Sequence, residues 1–461
     1  MPLQLDQHHG SLTDRIIAAV RSAIRHGQLK PGEKLPSIRQ LAAGHGVSTF
    51  TVVEAYDRLV AEGVLQARRG EGFFVTPAAG RQPAPPRQPQ KTADAFWLID
   101  NRFNPADSDR QPGSGWLPDD WYDHESLARS LRALGRGTPP TAYGESMGCT
   151  PLRQWLAAQL QESGLPASLD NLLLTEGASQ ALQLAIRVLV EAGDCVLVDD
   201  PGYCNLITLL HMAGARVVGV PWTEHGPDTA QLASLMQQHQ PRVFFTNPRL
   251  HNPTGASYDY ATAHRVLQLA EQHACWIVED DVSAALVNHG PGPLQALGGT
   301  ERVVYIGSVS KHLAPSLRVG FVLASDSVID ALVNHKMVCG LSSSLLNEQL
   351  ALGMLRDSSY RRRLHKLQQR LLAANLAARD GFAGLGWQVF APPGNSLFLW
   401  VRLPEQLDAI RLTEAALPHG LLLAPGVLFS PSRTPLPWLR CNIAHCQPPL
   451  FAFLAQAAAL A

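Results

Sequence analysis

The spacing of apolar positions changes character along the chain. In residues 12–26, LTDRIIAAVRSAIRH, the residues Ile16, Ile17, Val20 and Ile24 recur at helical intervals, and Gly27 supplies a stop. Pro31-Gly32 turns the chain, Ser37 is placed to cap a helix over 38–44, and Gly46 lies in a short turn. Ser48 then caps a further helix along TFTVVEAYDRLVAEG. Two short helices joined by so tight a turn predict a helix-turn-helix. Beyond Gly63, VLQARRGEGFFV reads as two short strands about Gly70-Glu71-Gly72, a wing that carries Arg68 and Arg69.

The pattern then lapses. Residues 77–95 are rich in proline and in basic or polar side chains, with almost no large apolar ones, and predict a semi-extended linker. From residue 96 short apolar runs alternate with amphipathic helices, which predicts an α/β sheet with covered faces. The candidate strands are NLLLTEG, DCVLVDD, RVVGVPW, RVFFTNP, CWIVEDD, RVVYIGS and RVGFVLA. Four of them end in residues able to do chemistry, and the carboxyl ends of strands are where ligands bind in open α/β sheets.

Composition sharpens this division. At 461 residues the chain exceeds one ordinary core. The net charge of −1 conceals an asymmetry: residues 1–93 carry 12 Lys/Arg against 7 Asp/Glu, a balance of +5, which leaves −6 for the remainder. A basic head on an acidic body predicts two different partners. The 7 cysteines are scattered, without a C-x-x-C, as in a reducing compartment. The start, MPLQLDQHHGSLTDR, lacks an apolar core, and the longest apolar run, residues 450–461, is too short to cross a bilayer. A cytoplasmic protein without membrane contact is expected.

The chemistry gathers on the body. Lys311 follows a strand in YIGSVSKHLAPSLRVG, with Ser308 and Ser310 at a turn and Arg318 seven residues on, a set that suits a phosphate beside a Schiff-base lysine. GASQALQLAIRVLV opens a helix on small residues, so the N–H groups of Ala178 and Ser179 and the Ser179 hydroxyl can hold an anion. Tyr203, in the Pro-Gly turn of DDPGYCN, is placed to lie over a flat heterocycle. The loop of Asn252-Pro253-Thr254-Gly255 fixes an amide able to donate to a phenolic oxygen. CWIVEDD drives an apolar strand into Glu279, Asp280 and Asp281, which is costly without a cation; a protonated ring nitrogen would be one. Strand neighbours point oppositely, so register decides which of Asp280 and Asp281 faces that ring.

In the head, a capped helix presents its first turn, Ser48, Thr49, Phe50 and Thr51, to base edges in a major groove, with Arg39, Arg68 and Arg69 on phosphates. The order Pro31-Gly32, Leu35-Pro36-Ser37-x-Arg39-x-Leu41-Ala42, Gly46-Val47-Ser48, Thr51-Val52, Ala55-Tyr56, Leu59, Gly63 and Gly70-x-Gly72-x-Phe74-Val75 resembles the GntR-type winged helix. Thr49 stands where that family often has arginine, so its base preference does not transfer.

Residues 96–461 resemble the aspartate-aminotransferase-like enzymes of fold type I, which use pyridoxal 5'-phosphate, and the whole chain resembles a MocR-type transcriptional regulator. The resemblance implies a multidomain fold: a winged helix-turn-helix, mainly α with a β wing, over 8–76, the linker 77–95, and the α/β aminotransferase fold over 96–461. The last comprises a large part at about 140–340 and a small C-terminal α+β part at about 341–461. It implies that Lys311 condenses with the cofactor aldehyde, Asp280 pairs with the pyridine nitrogen, Asn252 bonds the ring hydroxyl and Tyr203 stacks on the ring. Ala178, Ser179, Ser308 and Arg318 would hold the phosphate, Tyr143 in TAYGESMG would serve the phosphate of a neighbouring subunit in a homodimer, and Arg440 in WLRCNIAH would grip a substrate carboxylate. Two departures stand out. Val282 and Ser283 occupy places where the family has a tyrosine donor to the ring oxygen, and GNSLFLW at 394–400 replaces a Gly-Gly pair.

These features predict a regulator that binds duplex DNA and responds to pyridoxal phosphate, an amino acid or a B6-related ligand. The alternative is a working aminotransferase with an ancillary DNA-binding head. A third reading has the head docking a protein.

Overall fold

The computed structural model describes residues 11–25, 27–76, 111–288, 290–298 and 301–460. The first residues of the expected head, the linker at 77–95 and the start of the body up to residue 110 lie outside the described residues. The chain divides into two compact units, 1–90 and 91–461.

The head is built from α1 (Leu12–Arg25), α2 (Ile38–His45), α3 (Thr49–Ala61), β1 (Leu65–Arg68) and β2 (Gly72–Val75). Its short helices start where side chains replace missing backbone partners. Ser37 Oγ accepts from the Gln40 N–H at 3.3 Å while Gln40 Oε1 accepts from the Ser37 N–H at 3.0 Å, a reciprocal cap. Gly46, at φ 64°, ends α2 in the left-handed region, and Ser48 Oγ caps α3 by accepting from the Thr51 N–H at 3.0 Å. Ile16, Val20, Leu41, Val52, Tyr56 and Leu59 then share one core. The Tyr56 hydroxyl, buried in it, donates to the Pro36 carbonyl at 3.0 Å. β1 and β2 pair antiparallel, Leu65 with Val75 through Arg68 with Gly72.

In the body, α4 (His124–Arg136) and α5 (Thr150–Glu162) precede β3 (Leu172–Thr175), α6 (Gly177–Leu189), β4 (Cys195–Asp200), α7 (Cys204–Met212), β5 (Arg216–Thr223) and β6 (Gly226–Pro227). Then come α8 (Thr229–His239), β7 (Val243–Thr246), α9 (Tyr260–Gln272), β8 (Trp276–Asp280), β9 (Val303–Ser308) and β10 (Gly320–Leu323). All seven expected strands form, and among the described residues they join the short β6 in an eight-stranded sheet in the order β3-β10-β9-β8-β7-β4-β5-β6. The contacts of β4 with β5 and β7, and of β8 with β7 and β9, are parallel; β10 runs antiparallel to both neighbours. Every residue of β3, β7, β9 and β10 is buried, as covered strands require.

After α10 (Asp326–Gly340) and α11 (Leu345–Arg356), the long α12 (Tyr360–Gly384) leads to β11 (Gln388–Val389), β12 (Phe398–Arg402), α13 (Ala409–Ala416), β13 (Ala424–Pro425), β14 (Trp438–Asn442) and α14 (Pro448–Leu460). The strands form a second, antiparallel sheet in the order β11-β12-β14-β13. Leu371, Phe382, Trp387, Leu399, Leu439 and Leu454 close its core.

Candidate functional site

The carboxyl ends of β4, β7, β8 and β9 open on a cavity of about 570 Å³, within the range of small-molecule sites. Of the expected residues, Ala178, Ser179, Tyr203, Asn252, Asp280, Ser308, Lys311, Arg318 and Arg440 all line it. Tyr143 does not. It is 80 % exposed, beside Gly144, whose N–H reaches the Ser342 hydroxyl at 3.2 Å.

Register settles the two aspartates. Asp280 ends β8 and lines the cavity, whereas Asp281 lies on the other side, fully buried, where Arg249 donates to both its oxygens and the Tyr305 hydroxyl donates at 2.9 Å. Burial lowers the tendency of Arg249 to hold its proton, but the Asp281 charge outweighs this and leaves its pKa above the ordinary value. Asp280 has no guanidinium bonded to it, and the Lys311 charge only partly offsets its burial. Its Oδ1 is buried without a hydrogen-bond partner, and burial lifts its pKa to about 7 against the opposing hydrogen bond from the Val282 backbone. A cationic nitrogen placed in the cavity would satisfy that oxygen.

Opposite this carboxylate the cavity can receive an anion. α6 begins at Gly177, φ 75°, where a Cβ would come within 2.7 Å of Arg318 Nη2. Glycine therefore lets the guanidinium close on the helix N-terminus, and Arg318 donates to the Glu176 carbonyl at 3.1 Å. Arg318 itself sits at φ 51°, a left-handed conformation that costs a non-glycine residue about 1 kcal/mol or more. Ser308 Oγ, held by Ser310 Oγ at 3.1 Å and the Val319 carbonyl at 3.3 Å, completes this end. A buried acid with one oxygen unsatisfied at one end and a cationic, N–H-rich cradle at the other fit pyridoxal phosphate; Lys311 would hold its aldehyde carbon, Asp280 its ring nitrogen, and Arg318 with α6 its phosphate.

Lys311 and Arg440 share a feature the sequence did not announce. Lys311 Nζ donates to the Gly115 carbonyl at 2.6 Å, and Arg440 Nη2 donates to the Gly113 carbonyl. Asn442 Nδ2 holds the same segment through the Ser114 carbonyl at 3.1 Å and the Trp116 carbonyl at 2.6 Å. Arg440 is buried, 4.7 Å from the Phe398 ring and 4.8 Å from the Phe429 ring, and burial lowers its pKa. Its Nη1 donates to Asn252 Oδ1 at 3.0 Å, which leaves Nδ2 as the donor end of that amide. Asn247, also missed, organises the loop: it accepts from the Asn252 N–H at 2.7 Å and donates to the Asp280 carbonyl. The doubled asparagine in TNPRLHNPTG is the one signal that could have found it. Val282 and Ser283 line the cavity where a tyrosine donor was noted as missing.

In the head, Ser48, Thr49 and Phe50 are exposed at the start of α3, Phe50 by 77 %. The Ser48 and Thr51 hydroxyls bond each other at 2.7 Å, so both serve the cap. Arg39, Arg68 and Arg69 are exposed, and Arg68 lies 4.4 Å over the Phe74 ring and 4.0 Å from Glu71. No helix among the described residues is long and apolar enough to cross a membrane.

Residues 114–457 match the family "Aminotransferase class I and II", and residues 12–75 match "Bacterial regulatory proteins, gntR family". The uncharacterized HTH-type transcriptional regulator YdcR of Escherichia coli is 28% identical over 437 residues, 92% of this chain and 93% of that one. The probable rhizopine catabolism regulatory protein MocR of Rhizobium meliloti is 29% identical over 374 residues, 76% of this chain and 73% of its own length. Among solved structures, the α-aminoadipate aminotransferase LysN of Thermus thermophilus, complexed with N-(5'-phosphopyridoxyl)-L-leucine, superposes with a TM-score of 0.72 at 26% identity, covering 79% of this chain and 96% of that chain.

Proposed function

The chain belongs to the aminotransferase class I and II family and carries a gntR-family head, and on that premise we propose that it is a homodimeric, cytoplasmic transcriptional regulator that binds duplex DNA and senses pyridoxal phosphate, an amino acid or a B6-related ligand. One observation carries this reading: the two cations best placed to take such a ligand, Lys311 and Arg440, are hydrogen-bonded to carbonyls of residues 113–115, in the first described stretch of the body. That segment continues the chain that leads from the head.

Pyridoxal phosphate supplies an aldehyde, which condenses with a lysine amine and releases water, and a protonated ring that withdraws electrons. The residues of the chain do the rest. Asp280 would pair with the ring nitrogen, its proton passing to that nitrogen, Arg318 and the N–H groups of Ala178 and Ser179 would orient the phosphate, and Tyr203 would cover the ring face. Lys311, engaged by the aldehyde, would lose at least two of its three donors and so weaken its bond to Gly115. A ligand carboxylate on Arg440 competes in the same way with Gly113. Both events loosen residues 113–115, which gives the ligand different affinities for the two placements of that segment, the requirement for any allosteric response.

Tyr143 supports a dimer: it is 80 % exposed, and its chain neighbour Gly144 bonds Ser342 in a turn whose flanking Leu341 and Leu346 are also exposed, apolar surface suited to a second copy.

A second reading, a working aminotransferase, is favoured by the retention of Lys311, Asp280, Asn252 and Arg440 in one cavity. Val282 and Ser283 weigh against fast turnover, since neither side chain can reach as a tyrosine would. Adding amino acids to the pyridoxal-phosphate-loaded chain separates the readings. Sensing predicts an absorbance change that stops near one equivalent; keto acid released over many turnovers would establish the enzyme instead.

A further inference from the structure

The cost of leaving a large apolar ring in water points to the part of the head that meets DNA bases. Phe50 is 77 % exposed, more than any other large hydrophobic side chain described in the head; Leu12 follows at 45 %. It is the second residue of α3, on the turn that Ser48 caps. Around it, hydrogen-bonding groups are few and short. The Ser48 and Thr51 hydroxyls bond each other at 2.7 Å, Ser48 also takes the Thr51 N–H, and Thr49 has one hydroxyl on a short stem. The first turn of α3 holds no acidic residue, and the nearest arginine along that helix is Arg58, in its last turn.

The first turn of α3 offers neither the arginine fork that best reads guanine O6 and N7 nor a carboxylate for the amino group of cytosine. One base edge in the major groove is apolar, the C5-methyl group of thymine, and it takes contacts from phenylalanine and from the methyl of threonine. Resting on the DNA-binding reading of the head, we propose that Phe50, with the Thr49 methyl beside it, is a specificity-determining residue that packs on thymine methyl groups. The recognised half-site then carries thymine at the position or neighbouring positions under α3. Phosphate contacts from Arg39 and Arg69 set the register without adding to this choice.

The test uses the full-length protein. Duplexes retained by it are selected from a random-sequence library, and in the tightest of them each thymine is replaced in turn by deoxyuridine, which removes the methyl and leaves every hydrogen-bonding group. The expected result is one or two positions at which deoxyuridine weakens binding about fourfold, the worth of one buried methyl. Phe50→Ala, at an exposed site, should bind the thymine and deoxyuridine duplexes equally, with an unchanged dependence of affinity on salt. Selected duplexes that bind alike with thymine and deoxyuridine at every position would overturn the inference and leave the DNA-binding reading standing, as would a deoxyuridine loss that persists in Phe50→Ala. Failure to retain any duplex would overturn both.

Discussion

Lys311 and Gly115 are joined by a hydrogen bond of 2.6 Å across 196 positions of sequence, the lysine at the turn after β9 and the glycine at the start of the body. Condensation with an aldehyde would take at least two of the three ammonium protons and compete with this bond. Hydrogen exchange at residues 113–117 should therefore speed up when pyridoxal phosphate is added to the wild-type chain and stay unchanged in Lys311→Ala. Mass spectrometry of the peptide covering these residues checks it. Protection that rises on loading would place the segment as a closing element instead.

Asp280 gives a stability prediction with a definite sign. An aspartate ordinarily titrates near pH 4, and burial holds this one at about 7. Between those values the folded chain keeps a proton that the unfolded chain has released, so the group lowers stability as pH rises from about 4 to about 7, and the loss is complete above that. Its size is on the order of 4 kcal/mol. Glu279, pushed up to about 8 by burial, acts in the same direction, so the comparison must be made between variants. Asp280→Asn should raise the melting temperature of the cofactor-free chain at pH 8, have little effect at pH 4, and weaken pyridoxal phosphate binding by about a hundredfold or more. Thermal melts at the two pH values, with and without cofactor, read all three.

Arg440 should separate ligand classes. Lysine in its place keeps a charge but cannot bond Asn252 and Gly113 at once. Arg440→Lys is expected to retain pyridoxal phosphate within a few-fold and to lose amino-acid binding by about tenfold to a hundredfold, at a cost of about 2 kcal/mol in unfolding free energy from the carbonyl left unpaired. Spectroscopic titration and urea denaturation measure the two effects. Equal loss for cofactor and amino acid would place Arg440 in the cofactor's own site.

Much of this site was readable because its chemistry sits at the ends of local patterns. Lys311, Asp280 and Ser179 each follow an apolar run that can only be a covered strand, and Ser37 and Ser48 are caps whose geometry is set within four residues. The head's core followed from helical spacing alone. What sequence could not supply was contact between distant segments: the carbonyls of Gly113 and Gly115 have no side chain to mark them, and Asn442 reaches the neighbouring carbonyls of Ser114 and Trp116 over more than 300 positions. The choice between Asp280 and Asp281 also waited on register, since both lie in one run and only the Arg249 and Tyr305 partners of Asp281 distinguish them. Tyr143 was legible as a motif, but a single chain leaves it facing outward.

The central claim is that occupation of Lys311 is felt at the DNA. Affinity of the full-length protein for one selected duplex, measured at fixed salt with and without pyridoxal phosphate, tests it in wild type and in Lys311→Ala. The account predicts a change of about fivefold or more in wild type, the range of ordinary allosteric coupling, and none in the variant. Wild-type affinity that is indifferent to the cofactor, or a shift of equal size without the lysine, would contradict it.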